Sequence, residues 1–286
     1  MELVQVGEGV HAFLRPDEGA NVGLVRTAEG LIVVDTTSCA ADMQGLLDAV
    51  GVSTDRVCQV INTHSHSDHT WGNQLFRCSI LSHRLCRETM AINLQGPWKL
   101  DTIRESIALR SQTDPDWARE MQKETIGLQI TLPTDTLDRR ALKIGGVRLE
   151  VIHVGAHSPG SCVVWLPEPR ILFAGDLVFE GRYPFIGDAD IPALIGAIRR
   201  LPDFDAQTIV PGHGRLCSIE QISALGAYLE GTWARTIDHL AAGHSTDEAA
   251  ADPGYPHYAE KAAERLHEAN IRVMFSQLAG DGACPL

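Results

Sequence analysis

Thr63-His64-Ser65-His66-Ser67-Asp68-His69 is the stretch on which the reading of this chain turns. Four metal-binding side chains, His64, His66, Asp68 and His69, follow the apolar run Val57-Cys58-Gln59-Val60-Ile61. That order places them on a loop at the C-terminal edge of a buried strand. Imidazole suits zinc and other first-row metals, and a carboxylate completes such a shell. Two histidines one residue apart can share a metal if the backbone is extended or turned. The Asp-His pair that follows faces another direction and can serve a second metal. A run of polar loop residues rarely has this composition by chance.

Outward from that loop, three later positions share one context, a polar residue after an apolar strand. His157 follows Leu149-Glu150-Val151-Ile152-His153-Val154-Gly155-Ala156, Asp176 follows Ile171-Leu172-Phe173-Ala174-Gly175, and His213 follows Thr208-Ile209-Val210-Pro211-Gly212. Neighbouring glycines let the backbone approach a tight centre. Each position alone means little; together with the His64 loop they point to one site.

With these motifs in order, the chain resembles the metallo-β-lactamase superfamily over nearly its whole length. His-x-His-x-Asp-His, Gly-x-His-x-x-Gly, Gly-Asp and Pro-Gly-His-Gly occur in that family's order and spacing. The resemblance implies an α/β fold, the αβ/βα four-layer sandwich, as one domain over residues 1–286. It implies that His64, His66 and His157 ligate a first metal, that Asp68, His69 and His213 ligate a second, and that Asp176 bridges them. Asp35, which ends Leu31-Ile32-Val33-Val34, matches an early aspartate that supports the ligands by hydrogen bonding. Zinc β-lactamases usually carry cysteine or serine where this chain has Asp176. The full set is instead similar to glyoxalase II-like thioesterases, lactone hydrolases and phosphodiesterase relatives.

The expected chemistry is hydrolysis by a dinuclear, metal-bridging hydroxide on a small ester, lactone or thioester. Asp68 is the expected catalytic carboxylate, orienting the nucleophile while it ligates. Two Zn2+ per chain are expected because the shell is His/Asp-rich and hydrolysis needs no redox chemistry; iron and manganese are alternatives. Phosphodiester hydrolysis, a β-lactam side activity, an iron-dependent dioxygenase and a non-catalytic metal-containing binding protein are the competing readings. Ser158 and Ser161 are read as loop-shaping or supporting residues. Trp71, Arg182, Tyr183 and Phe185 are the substrate-contact candidates, and Trp98, Trp117 and Met121 could add an apolar rim. Arg182 could pair with a substrate carboxylate or phosphate.

Composition narrows the partners. Net charge is -13, with 24 basic against 37 acidic residues. Such a surface argues against nucleic acid or anionic membrane and leaves a small molecule as the expected partner. The oligomeric state is open. Seven cysteines are scattered without a C-x-x-C pair, which fits reduced thiols and a cytoplasmic location. No signal peptide or membrane span is visible in the sequence.

Short β-rich runs are expected at residues 10–14, 21–26, 31–34, 57–61 and 79–81, with a turn at Asp17-Glu18-Gly19. A helix is expected over 40–50. From 83 to about 130 the pattern becomes helical and polar, with Ile103, Ile107 and Leu109 on its face and Asp114-Pro115 marking a helix start. This is read as a helical insertion. Strands return at 141–144, 147–153, 161–166, 170–174 and 208–210, with Gly145-Gly146 as a hairpin turn. Helices follow at 191–201, 218–242 and 258–278, and residues 280–286 read as a frayed tail.

Overall fold

A computed structural model describes residues 2–15, 19–259 and 264–280. The turn residues Asp17 and Glu18, and the tail 281–286 with Cys284, lie outside the described residues. The first sheet has seven strands in chain order: β1 (Glu2–Gly7), β2 (Val10–Leu14), β3 (Val22–Thr27), β4 (Gly30–Val34), β5 (Val57–Ile61), β6 (Ser79–His83) and β7 (Asp135–Leu137). β1 to β4 pair antiparallel, and β4 to β7 pair parallel. The second sheet contains β8 (Arg139–Ile144), β9 (Val147–His153), β10 (Cys162–Leu166), β11 (Ile171–Phe179) and β12 (Thr208–His213), in the order β12-β11-β10-β9-β8. Only β11 and β12 pair parallel there.

Helix α1 (Ala40–Ala49) connects β4 to β5, and the single turn α2 (Ser67–Thr70) follows β5. Helices α3 (Arg84–Asn93), α4 (Leu100–Arg110) and α5 (Pro115–Glu124) lie between β6 and β7. Helix α6 (Ile191–Arg200) joins β11 to β12, and α7 (Ile219–Ala241), α8 (Thr246–Ala250) and α9 (Glu264–Ala279) come last.

The period of two along each strand explains the layering. On β4, Ile32 and Val34 pack into the core between the sheets, with Leu149, Val151, Val164 and Phe173. Leu31 and Val33 point the other way, onto Met43, Leu46 and Leu47 of α1. On β11, Ile171 and Phe173 enter the inter-sheet core, whereas Leu172 and Ala174 join Leu194, Ile198, Leu225 and Leu229 of α6 and α7. The result is helix, sheet, sheet, helix, the four-layer sandwich that the sequence predicted. Each large aliphatic side chain buried this way contributes about 1.5–3 kcal/mol.

The helical insertion is present. Asp114 caps α5, its side chain accepting from Trp117 N at 3.1 Å, with Pro115 in the first turn. Ile103 and Ile107 are buried, but Leu109 is 75% exposed, because it falls on the outer face of α4. The glycine hairpin is present too, with φ of 49° at Gly145 and 91° at Gly146, the pair of positive angles that a tight β-turn requires. No helix of the described residues is long and apolar enough to cross a membrane.

Three differences from the expected elements appear, and the first two bear on the site. β11 does not stop at Ala174; it runs to Phe179 through register shifts on both sides of Gly175, which has φ of 52°. Asp176 therefore sits on an irregular strand rather than after its end. β12 extends through His213, which is its last residue. β1 and β7, which carry weak apolar patterns, complete the edges of the first sheet.

Candidate metal centre

The C-terminal ends of β4, β5, β9 and β12, together with the irregular half of β11, meet at one edge of the sandwich. Cross-sheet hydrogen bonds fasten that edge. Cys162 N donates to Thr63 O at 2.7 Å, and Asn21 N donates to Gly212 O at 2.7 Å. The buried Asn21 amide also donates to Pro211 O at 2.9 Å and Gly214 O at 3.0 Å. Gly212 is required by close approach: a Cβ there would collide with Asp176 Oδ1.

Backbone geometry divides the opening loop between two triads. His66 is extended (φ −67°, ψ 153°), and the turn α2 begins immediately after it. His64 and His66 thus point to one side with His157, while Asp68 and His69 point to the other with His213. The inward nitrogens and carboxylate oxygens form two groups, His64, His66, His157 and Asp176, and Asp68, His69 and His213, with atoms inside each group within 4.8 Å of one another. Asp176 is 5% exposed and lies between them. Its Oδ2 is 3.6 Å from His64 Nε2, 3.5 Å from His157 Nε2 and 3.5 Å from His213 Nε2. Its Oδ1 is 3.1 Å from His69 Nε2, and Asp68 Oδ2 is 3.3 Å from His213 Nε2. His66 Nδ1 and His157 Nε2 approach to 3.1 Å.

Outer hydrogen bonds fix the tautomers. Asp35 accepts from Thr63 N at 2.6 Å, from Thr63 Oγ1 at 2.7 Å and from His69 Nδ1 at 2.9 Å. The Thr63 hydroxyl, having given its proton to Asp35, accepts from His64 Nδ1 at 3.0 Å. One carboxylate therefore fixes the outer Nδ1 protons of both His64 and His69 and leaves their Nε2 atoms facing inward. Asp35 has φ of 60°, and Ala156, just before His157, has φ of 78°; such non-glycine positive angles cost about 1–3 kcal/mol each and persist where surrounding structure holds them. Asp188 does for His66 what Asp35 does for His69, accepting from Nε2 at 2.8 Å. Sequence reading missed Asp188 and Asn21, because neither belongs to a ligand motif; only the place of Asp188, a few residues beyond Phe185 on the loop after Asp176, hinted at it.

The two triads differ in charge. Burial pushes the His64 pKa well below the ordinary histidine value, reinforced by His69, and drops His157 to about 3 against the partial opposition of Asp176. Burial acts the same way on His69 and His213, but carboxylates override it. Asp176, Asp68 and Asp35 raise His69 well above its usual value, and Asp176 and Asp68 lift His213 to about 9. Burial alone would raise both carboxyls. Instead, His213 and His69 hold Asp176 below the carboxylate range, and His69 and His213 do the same for Asp68.

These residues fit a divalent cation. His64 Nε2, His69 Nε2 and Asp176 Oδ1 are buried without a hydrogen-bond partner, while the Nδ1 atoms of His64 and His69 are held by Thr63 and Asp35. Buried polar atoms left in that state are costly unless a cation completes them.

The centre opens into a cavity of about 380 Å3. His66, Asp68, Asp176 and His213 form its floor, and Trp98, Phe179, Arg182, Tyr183, Phe185, Asp188 and Leu266 stand around it. Phe185 meets His66 edge-on at 5.5 Å, and Phe179 stacks on His213 at 5.0 Å. Arg182 and Phe185 thus line the cavity as the sequence suggested. Tyr183 lines it as well, but is 1% exposed, with its hydroxyl held against His257 Nδ1 at 3.1 Å. Trp71 is corrected: it is 2% exposed and packs behind the wall with Ile103, Ile107, Ala118 and Leu128, so it offers substrate no surface. Trp98, edge-on to Trp71 at 5.6 Å, takes that place. Trp117 and Met121 pack into the same cluster rather than the cavity. The Ser158 hydroxyl bonds Ser161 Oγ at 3.0 Å, closing the turn that presents His157.

The Metallo-beta-lactamase superfamily profile matches residues 15–213, which include all seven converging side chains. The chain belongs to this superfamily. It is 24% identical over 242 residues to acyl-coenzyme A thioesterase MBLAC2 of Bos taurus, covering 78% of this chain and 84% of the relative. Over a shorter stretch, 28% of this chain and 40% of the relative, it is 36% identical to hydroxyacylglutathione hydrolase GloC of Haemophilus influenzae. Among solved structures, a metallo-beta-lactamase family protein from Thermus thermophilus superposes with a TM-score of 0.68 at 20% identity, covering 98% of this chain and 96% of that one. The superfamily and its named relatives are hydrolytic, and this chain is a superfamily hydrolase carrying a His/Asp metal-binding cluster.

Proposed function

We propose that this protein is a dinuclear zinc hydrolase that cleaves a small ester, lactone or thioester. The observation that carries the reading is the convergence of two triads on Asp176 at the floor of one cavity. A structural zinc site needs only four ligands and no shared carboxylate. His64, His66 and His157 would hold one cation, and Asp68, His69 and His213 the other, with Asp176 between them. Cations there would supply Lewis acidity, polarising a carbonyl and drawing the pKa of water towards ~7.

The chain's own residues do the rest. Asp35 and Asp188 hold three imidazoles in the tautomer that turns a lone pair inward. Asp68, 32% exposed at its side chain, faces the cavity and orients the attacking water by accepting its proton in a hydrogen bond. Phe179, Phe185 and Trp98 exclude bulk water beside the floor, which strengthens each electrostatic contact there. Arg182 is the one guanidinium among the described lining residues and would pair with an anionic group on the substrate. The thioesterases among the relatives support a thioester within this class.

The test is metal content together with turnover. About two metals per metal-replete chain and hydrolysis of acyl thioesters, lactones or p-nitrophenyl esters are expected. One metal or none per chain, or turnover confined to a phosphodiester, alkyl sulfate or β-lactam in the same panel, would overturn it.

A further inference from the structure

The cavity wall from Phe179 to Ala189 is held from outside the region matched to the superfamily. Tyr258 donates its hydroxyl proton to Phe179 O at 2.7 Å. The buried Asn270 amide on α9 donates to Pro184 O at 2.9 Å. Gln277, two turns further along α9, donates to Ala189 O at 2.9 Å and accepts from Ile191 N at 3.1 Å. The three anchors fall at the start, middle and end of the wall. All three end on backbone carbonyls, so they fix the wall's path whatever side chains it carries. Between them, the Tyr183 ring stacks on His267 at 5.0 Å, and Leu266 of the same helix reaches the cavity itself.

We propose that Tyr258, Asn270 and Gln277 are positioning residues, which hold the 179–189 wall in place and so set which substrates the cavity admits, with Leu266 as a direct specificity contact. Four cavity-lining residues, Arg182, Tyr183, Phe185 and Asp188, lie between these anchors. A wall released at Pro184 O would swing Arg182 and Phe185 away from the floor, while Asp188, which holds His66, stays beside the Gln277 anchor at Ala189. Apart from Asp188 on the wall's far end, the centre is fastened by Asn21, Thr63 and Asp35, which belong to other elements. The anchor at Pro184 is therefore separable from the centre. The selectivity half of the proposal rests on the hydrolase reading above; the positioning half does not.

The test compares wild type with Asn270→Asp, which keeps the shape and removes the amide donor, with Tyr258→Phe, and with their double variant. Amide hydrogen exchange is read by mass spectrometry over 179–189 and over β4 and β5. Exchange of the wall is expected to rise about tenfold in Asn270→Asp and further in the double variant, with β4, β5 and metal content unchanged. With p-nitrophenyl esters from acetate to octanoate as probes, KM is expected to rise about tenfold at nearly constant kcat. Leu266→Ala is expected to shift preference towards longer acyl chains. Unchanged wall exchange in the folded double variant would overturn the positioning role, and Tyr258→Phe decides it if Asn270→Asp does not fold. Loss of metal, or a fall in kcat at constant KM, would overturn it too, by tying these residues to the centre. If wild type cleaves none of the esters, the hydrolase reading for this substrate class fails, while the exchange data still decide the positioning role.

Discussion

Two histidine pairs beside Asp176, one from each triad, are alike in depth and opposite in proton affinity. His64 and His157 are buried beside other imidazoles with Asp176 as the chief opposing charge, and their proton affinity falls; His69 and His213 are buried too but face Asp68 as well as Asp176, and theirs rises. Desolvation is common to all four, so the carboxylates decide the sign. The contrast teaches that a metal-ligand set read as seven equivalent positions is electrostatically two different sites. His64 and His157 offer lone pairs at neutral pH. His69 and His213 must first give up protons.

The most severe way to break the comparison is to remove what the triads share. Asp176→Ala should lower turnover on the order of 10³-fold or more and reduce metal content at both positions, measured by elemental analysis beside esterase or thioesterase rates. Retention of two metals would mean that Asp176 bridges nothing. Next is Asp35, whose carboxylate orients His69 directly and His64 through Thr63. Asp35→Ala should weaken metal affinity at both positions, by about 10–100-fold, in competition titrations against a chelator. Asp188 reaches only His66 and is largely exposed, so Asp188→Asn should cost about tenfold, and at one position only. If it weakened both equally, the assignment of His66 to a single triad would fail.

The mildest effect is a count of protons. His69 and His213 have folded values above that of an unfolded histidine. In the metal-stripped protein their contribution to stability is full below about pH 6.5 and is lost as pH rises through about 9 for His213. Zinc loading at pH 7.5 should therefore release about one to two protons per chain, and none once both imidazoles are already neutral. A calorimetric titration in buffers of different ionisation enthalpy reads that number. No release at pH 7.5 would make the two triads equivalent after all.

Much of this was legible in the sequence for a simple reason. Strands buried on both faces write their ends sharply, so polar residues after Val34, Ile61 and Val210 stand out against the apolar runs. The ligand motifs also lie within single loops, where spacing alone constrains geometry. What failed depends on contacts between distant segments. Whether Trp71 or Trp98 faces the cavity is settled by how α4 and α5 close over the loop, and aromatic character does not encode that. Asp188 and Asn21 act through partners more than a hundred residues away. The continuation of β11 past Gly175 needed the register of β12, which no local pattern supplies.

Gly212 gives that long-range dependence its sharpest form. Its hydrogen is the clearance between β12 and the Asp176 carboxylate. Adding one methyl group would leave every donor atom in the sequence and every motif but one intact, yet would wedge the two strands apart at the point where both triads meet. The centre is thus as sensitive to an added carbon as to a missing ligand, and inactivation at position 212 would be a failure of fit rather than of chemistry.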